Sequence, residues 1–144
     1  MGKNLKHDPV AAVAVGASGA ITEGLLYAVN SSSQAVAADR STPLAALGFA
    51  VSSLSAAQAT AGQKVGLAPI GEVELLTSEI AGGALTVGGT VYLDTAGKYT
   101  TTKPTTAAHI IQAIGTAISA TKVAVNVSRL TLTLQVAGNS TINA

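Results

Sequence analysis

Cysteine and tryptophan are absent from this sequence, and aromatic residues of any kind are rare. Without cysteine, the chain can form neither a disulfide framework nor a thiolate metal site. Aromatic side chains make up only 3% of the residues whereas 48% are hydrophobic, so Val, Ile, Leu and Ala must build the core. Because aromatic rings usually contribute large buried areas, such a core is thin for its length, and association with partners would compensate.

Charge is also scarce, since only 10% of the residues are charged and the formal net charge is +1. The eight basic residues are scattered, and the chain has few rings on which bases could stack. Both features exclude the usual surfaces for nucleic acid. No apolar run approaches the roughly 20 residues that a membrane-spanning helix needs, so we expect no membrane partner.

A glycine-rich stretch near the N-terminus, "VAAVAVGASGAITEG" at 10–24, resembles the phosphate-binding turn of a dinucleotide fold. In that turn, glycines let the backbone approach a pyrophosphate at the start of a helix. The third glycine of the pattern falls on Thr22, so the residue that lets helix and strand pack closely is missing. We therefore interpret the stretch as a β-turn between short strands.

Part of this stretch recurs later in the chain, which indicates an internal duplication. The matched residues keep their order while their spacing changes slowly, as in a diverged repeat. The matches are 19–22 with 83–86, Gly24 with Gly89, Tyr27 with Tyr92, 46–52 with 113–119, and Lys64-Val65 with Lys122-Val123. They predict two similar β units, at about 19–67 and 83–125, packed through a shared aliphatic core.

Short β-like runs separated by turn residues fill the rest of the chain from Val10 onward. Short strands separated by turns in this way are typical of a β-sandwich or β-barrel. We predict an all-β fold of the jelly-roll or tulip-like kind, with an N-terminal arm at 1–9 and a single β domain at 10–144. A hairpin tip is expected at Ala96-Gly97, a helical turn or loop at 53–62, and a half-buried C-terminal strand at 130–136.

Residues with catalytic or metal-binding chemistry are few and dispersed. His109, Asp94 and a serine could form a Ser-His-Asp set, but no spacing fixes them and no nucleophile elbow is present. Glu72 and Glu74 share a strand face, whereas glycosidase pairs usually come from separate elements. Two distant histidines and isolated acids offer no metal ligand set. We expect no enzymatic activity, no cofactor and no metal.

Four ordered motifs resemble those of bacteriophage capsid cement or decoration proteins. They are "AGQKV" at 61–65, "GEVEL" at 71–75, "GGTVYLD" at 88–94 and "IGTA" at 114–117, within a resemblance that spans about 21–127. The resemblance implies a β-barrel or sandwich, often a homotrimer, that binds the major capsid protein on the outside of the virion and stabilises the head. Such a protein would be made in the host cytoplasm.

The polar arm lies outside these motifs and is a candidate attachment device. We expect it to be disordered alone, because it lacks an apolar face to offset its ordering entropy. Lys3, Asn4, Lys6 and His7 would then contact the shell or a neighbouring subunit. The alternative function is a receptor- or carbohydrate-binding β module of a phage fibre or spike, although the exposed aromatic rings of such sites are scarce here.

Overall fold

The computed structural model describes residues 5–7, 13–127, 133–136 and 140–143. These residues form short strands and one short helix, which confirms the predicted all-β class. The elements are β1 Leu5–His7, β2 Val13–Ala17, β3 Leu26–Val29, β4 Gln34–Ala37, β5 Gly48–Ala50, α1 Ala56–Thr60, β6 Lys64–Ala68, β7 Ile70–Glu74, β8 Thr90–Leu93, β9 Tyr99–Thr100, β10 Ile110–Ile111, β11 Ala113–Ala117, β12 Lys122–Asn126, β13 Thr133–Val136 and β14 Ser140–Asn143.

Strands β2 to β6, which we call the first unit, close into a five-stranded barrel in the order β2-β4-β3-β5-β6. The pairs are antiparallel except for β2 with β4, which run parallel and close the barrel. Gly16 lies within β2, and an isolated bridge at Ile21 and a turn, rather than a helix, follow Gly19. The strand interpretation of the glycine-rich stretch is therefore correct.

Strands β7, β8, β9, β11 and β12, which we call the second unit, pair in the corresponding order. Their sheet runs β7-β12-β11-β8-β9, with β1 added at the outer edge of β7. Because the barrel is closed, its order also reads β2-β6-β5-β3-β4, and this is the order to which the second sheet corresponds strand by strand. A single parallel bridge joins Ile80 to Tyr99 on β9, at the place where β2 meets β4 in the barrel. The two units therefore share a strand order.

The hydrogen bonds also show which residues of the two units correspond. The Leu25 N–H donates to the Thr22 carbonyl (3.3 Å), and the Gly89 N–H donates to the Thr86 carbonyl (2.9 Å). The third residue of each turn is a glycine with positive φ, Gly24 at 85° and Gly88 at 80°. This is the glycine position of a type II turn. Gly24 thus corresponds to Gly88, and the predicted match to Gly89 is wrong by one residue.

The tyrosine match is displaced in the same way. Tyr27 and Tyr92 lie on the corresponding strands β3 and β8. However, Tyr27 pairs with Gly48 and Val91 pairs with Gly115, so Val91 is the counterpart of Tyr27. The Tyr27 hydroxyl accepts a hydrogen bond from the Thr22 N–H (2.8 Å), a local role that Val91 cannot take.

The structural units begin earlier than the sequence repeat indicated. β2 starts at Val13 and β7 starts at Ile70, rather than at 19 and 83. The second unit contains an extra 3-10 turn at Thr77–Glu79 after β7. The first unit contains α1, whose capping box joins Ser55 and Gln58 in both directions. These two insertions occur in one unit each, so they hide the full extent of the sequence repeat.

The structure describes the last four residues of the predicted C-terminal strand, Thr133–Val136. β13 begins at Thr133 and pairs with β10 on one side and β14 on the other. Residues 130–132 of the predicted strand lie outside the described residues.

Part of the N-terminal arm pairs with its own chain. β1 runs antiparallel to β7, with Lys6 opposite Glu72 and His7 opposite Gly71. The expectation that the arm orders only against a partner is therefore wrong for Leu5–His7. Lys3 and Asn4 lie outside the described residues.

The core has two parts that meet across β3 and β5. Tyr27 on β3 and Ala50 on β5 point into the barrel with its other apolar residues. Leu26 and Phe49, on the same two strands, pack instead with the core of the second unit. Because β3 alternates between two buried faces, the second unit covers the outer wall of the barrel.

Gly115 is a position where close strand packing requires glycine. A Cβ there would overlap the carbonyl group of Ala124 on the neighbouring strand β12, whereas a Cβ at Gly16 would meet no atom within 4 Å. We predict that Gly115→Ala lowers the unfolding free energy by about 1–3 kcal/mol or more, because the two strands must separate. Gly16→Ala should change it by less than about 0.5 kcal/mol. Urea unfolding of both variants provides the measurement, and equal midpoints would contradict the packing argument.

Candidate functional site

A charged cluster joins the two units at the loop that follows β4. The Arg40 Nε donates to Asp94 Oδ1 (2.9 Å), and Arg40 Nη1 lies 2.6 Å from His109 Nδ1. Since a guanidinium can only donate, His109 Nδ1 must accept, and a neutral ring then carries its proton on Nε2. Arg40 belongs to the first unit, and the other two residues belong to the second, so this cluster fixes one unit against the other.

Asp39, next to Arg40, makes a second polar contact across the junction. Its Oδ2 accepts from the Ala96 N–H (3.1 Å), while its Oδ1 accepts from the Ser41 N–H (2.8 Å) and hydroxyl. Partial burial acts to raise the pKa of Asp39, but the hydrogen bonds from Ser41 and Ala96 outweigh it, and the pKa lies below its ordinary value of 3.8. The carboxylate is therefore ionised near neutral pH.

Two buried side chains make further hydrogen bonds between the units. The Gln112 amide is fully buried, and it both accepts from the Ala46 N–H (2.7 Å) and donates to the Ala46 carbonyl (2.9 Å). The Tyr99 hydroxyl, also fully buried, donates to the Gly24 carbonyl (2.7 Å). Burial raises the pKa of Tyr99 well above 10.0, and the negative charge of Glu79 adds to the shift.

A cleft of about 350 Å³ lies beside the charged cluster. Arg40 and Asp94 form part of its wall, and Thr102, Lys103 and Thr105 come from the loop that follows β9. The lining residues are mostly threonines and charged residues, with Pro104 and Ala81 as apolar members. The cleft can therefore take a small polar ligand.

A separate apolar surface lies at one end of the second unit, and we call it the open end. It consists of Leu76, Val87 and Ile118, which are 59%, 64% and 46% exposed. Backbone hydrogen bonds hold their segments together, because the Leu75 N–H donates to the Thr121 carbonyl (2.8 Å) and the Gly88 N–H donates to the Ala117 carbonyl (2.7 Å). Three large apolar side chains are thus presented to solvent at the same end.

The corresponding end of the first unit carries an insertion. There, α1 and its flanking loop join Leu54 to β6, and Ala59 packs against the barrel core. In the second unit the chain passes from Ala120 to β12 without such an insertion. Where the second unit carries Val87, the first unit carries the polar Glu23. The strand order that the two units share therefore does not by itself require apolar side chains to be exposed at this end.

The candidate site residues predicted from the sequence lie in several separate places in the structure. Lys6 and His7 lie in β1 at the edge of β7, on which Glu72 and Glu74 also lie. Asp94 and His109 do come together, but Arg40 joins them, and no serine hydroxyl hydrogen-bonds to His109 among the described residues. The sequence offered no indication of the open end, because Leu76, Val87 and Ile118 lie far apart in the chain and only the fold brings their segments to one end.

Within the described residues, no group of three or more His, Asp or Glu side chains is placed to hold a metal ion. In the same part of the chain, no helix has the length and apolar character needed to cross a membrane.

We predict that Tyr99→Phe lowers the unfolding free energy by about 1–3 kcal/mol, because the buried Gly24 carbonyl loses its donor. Tyr92→Phe is the matched control, since Tyr92 is only half-buried and its hydroxyl has no partner among the described residues.

The raised pKa of Tyr99 stabilises the protein below pH 10, and this contribution is lost as the pH rises, because only the unfolded tyrosine then ionises. The fall in stability above pH 10 should be shallower in Tyr99→Phe, and identical slopes would contradict the assignment.

Each of the four motif segments contains or adjoins a strand of this structure. The segment 61–65 leads into β6, 71–75 covers most of β7, 88–94 contains β8, and 114–117 lies in β11. Three of them therefore belong to the second unit, which also carries the open end. No protein-family model matches the chain, and a comparison with curated proteins finds no match either.

Proposed function

We propose that this chain is a structural virion protein that binds the major capsid protein on the outer surface of a phage head and stabilises the shell. The open end is the observation that carries the proposal. Leu76, Val87 and Ile118 are exposed, whereas the corresponding hairpin of the first unit carries the insertion that contains α1. Large apolar side chains exposed at one end of a domain are a feature of interaction sites. The ordered cement-type motifs in the sequence support the shell as the partner.

The size of the open end suits a partner that is present in many copies. Full burial of one Val, Leu or Ile side chain contributes roughly 1.5–3 kcal/mol, so three partly exposed side chains supply modest affinity per copy. A protein that binds only the assembled shell stabilises it by mass action. Many equivalent sites multiply this effect, so strong attachment of a single copy is not required. Such a role also needs no reactive side chains.

The N-terminal arm supplies a second attachment in this proposal. β1 occupies the edge of the second unit's sheet, and sheet edges are surfaces on which strands from other chains pair readily. Lys3, Asn4, Lys6 and His7 would contact the shell or a neighbouring subunit around this edge. The protein acts as a homotrimer seated at local threefold positions, where one symmetric assembly matches the symmetry of the shell.

Substitutions at the open end test the attachment surface. We predict that Val87→Lys and Ile118→Lys each reduce occupancy on capsids by about tenfold or more, because a charge must then be desolvated in the contact. Val29→Lys is the matched control, since Val29 is 39% exposed but belongs to the first unit. Occupancy is measured by gel densitometry of purified particles, and thermal melts of the free variants check that each is folded. Unchanged occupancy of both folded open-end variants would exclude this surface.

Comparison of particles with and without the protein tests the stabilising role. We expect decorated particles to withstand higher temperature and stronger osmotic shock than bare ones, because shell disassembly must also release the bound protein. The readout is release of packaged DNA, alongside the mass of the free protein in solution. Equal resistance of the two populations would contradict the cement role, whereas a monomer both free and bound would contradict only the trimer.

A further inference from the structure

The cleft beside Arg40 is built from parts of both units. Arg40 comes from the loop after β4, and its backbone carbonyl accepts from the Ile110 N–H (3.0 Å). Asp94 follows β8, and Thr102, Lys103 and Thr105 line the cleft from the loop that follows β9. Among the lining residues Arg40 alone comes from the first unit, so docking of the units fixes its guanidinium relative to the other polar groups of the cleft.

Two of its charged groups keep unused hydrogen-bonding atoms. Arg40 uses Nε with Asp94 Oδ1 and Nη1 with His109, which leaves Nη2 without a partner among the described residues. Asp94 Oδ2 likewise has no hydrogen-bond partner in the described part of the chain. Both side chains line the cleft. A ligand in the cleft would therefore find the Arg40 guanidinium as a donor beside the Asp94 carboxylate as an acceptor. The ion pair between them holds both groups in place.

A donor beside an acceptor suits polyhydroxylated ligands. An acceptor next to a donor matches a pair of neighbouring hydroxyl groups, since a hydroxyl both donates and accepts. Thr102, Lys103, Thr105 and Thr106, which carry hydroxyl or ammonium groups, also line the cleft, together with the apolar Pro104 and Ala81. We propose that the cleft binds one neutral polyhydroxylated ring, of the size of a hexopyranose. This site does not depend on the proposed role at the capsid.

Other small ligands fit the cleft less well. An inorganic anion would be attracted by Arg40 and Lys103 but repelled by the Asp94 carboxylate. A nucleobase or an apolar ligand would find no aromatic ring among the lining residues. At about 350 Å³ the cleft is near the lower end of the roughly 300–1,000 Å³ of ligand pockets, which favours a single ring. Without ring stacking, we expect a dissociation constant of about 1–10 mM.

NMR titration of the full chain tests the proposal. The probes are methyl α-D-glucopyranoside, methyl α-D-mannopyranoside, methyl β-D-galactopyranoside and N-acetyl-D-glucosamine, with sodium phosphate as the anionic comparison. We expect at least one sugar to shift the amide signals of Gly82, Thr102 and Thr105 in a saturable manner, while phosphate leaves them unchanged. Absence of saturable shifts with all four sugars, or saturation by phosphate alone, would overturn the proposal.

Variants then assign the binding to the cleft. Asp94→Asn removes the charged acceptor and should weaken sugar binding by about tenfold or more. Because Asp94 also pairs with Arg40, Thr105→Val provides a second test on an exposed loop residue outside the charged cluster. Thr90→Val, an exposed threonine on β8, is the matched control and should bind normally. Unchanged affinity in both cleft variants would place the sugar elsewhere and overturn the proposal.

Discussion

Burial of β3 and β5 on both faces is the constraint on which this fold depends. Tyr27 and Ala50 fill the barrel, while Leu26 and Phe49 on the same strands fill the core of the second unit. A barrel wall with large apolar residues on its outside cannot remain in water without cost, since each such side chain contributes roughly 1.5–3 kcal/mol on burial. The second unit is therefore a structural necessity for the first. A chain with so few aromatic rings obtains one continuous core in this way.

The polar contacts between the units follow from that packing. Covering the barrel wall also buries the loop that precedes β5, and buried backbone groups must find partners. At Ala46 both backbone groups are satisfied by a single side chain, the Gln112 amide. Arg40 connects Asp94 and His109 at the solvent-facing margin of the same junction. Apolar contact supplies the attraction, and these directional bonds determine how the units are aligned.

Much of the fold could be predicted from the sequence, because strand alternation and turn residues are local patterns. The repeat was also visible, yet its alignment was wrong by one residue at Tyr92. Identical residues guided that alignment, whereas the structure keeps the glycine turn and the strand register. The junction, the cleft and the open end could not be predicted. Each depends on residues far apart in sequence, such as Ala46 with Gln112.

Two-faced burial of β3 also has a consequence for the emerging polypeptide during synthesis. All strands of the barrel precede residue 69, so the first unit leaves the ribosome and can pair its strands before the second unit exists. Until β8, β11 and β12 follow, Leu26 and Phe49 remain on an uncovered surface. Transient apolar surfaces of this kind are where nascent chains aggregate. The speed with which the second half is translated, or a chaperone that shields the first, therefore controls the yield of native protein.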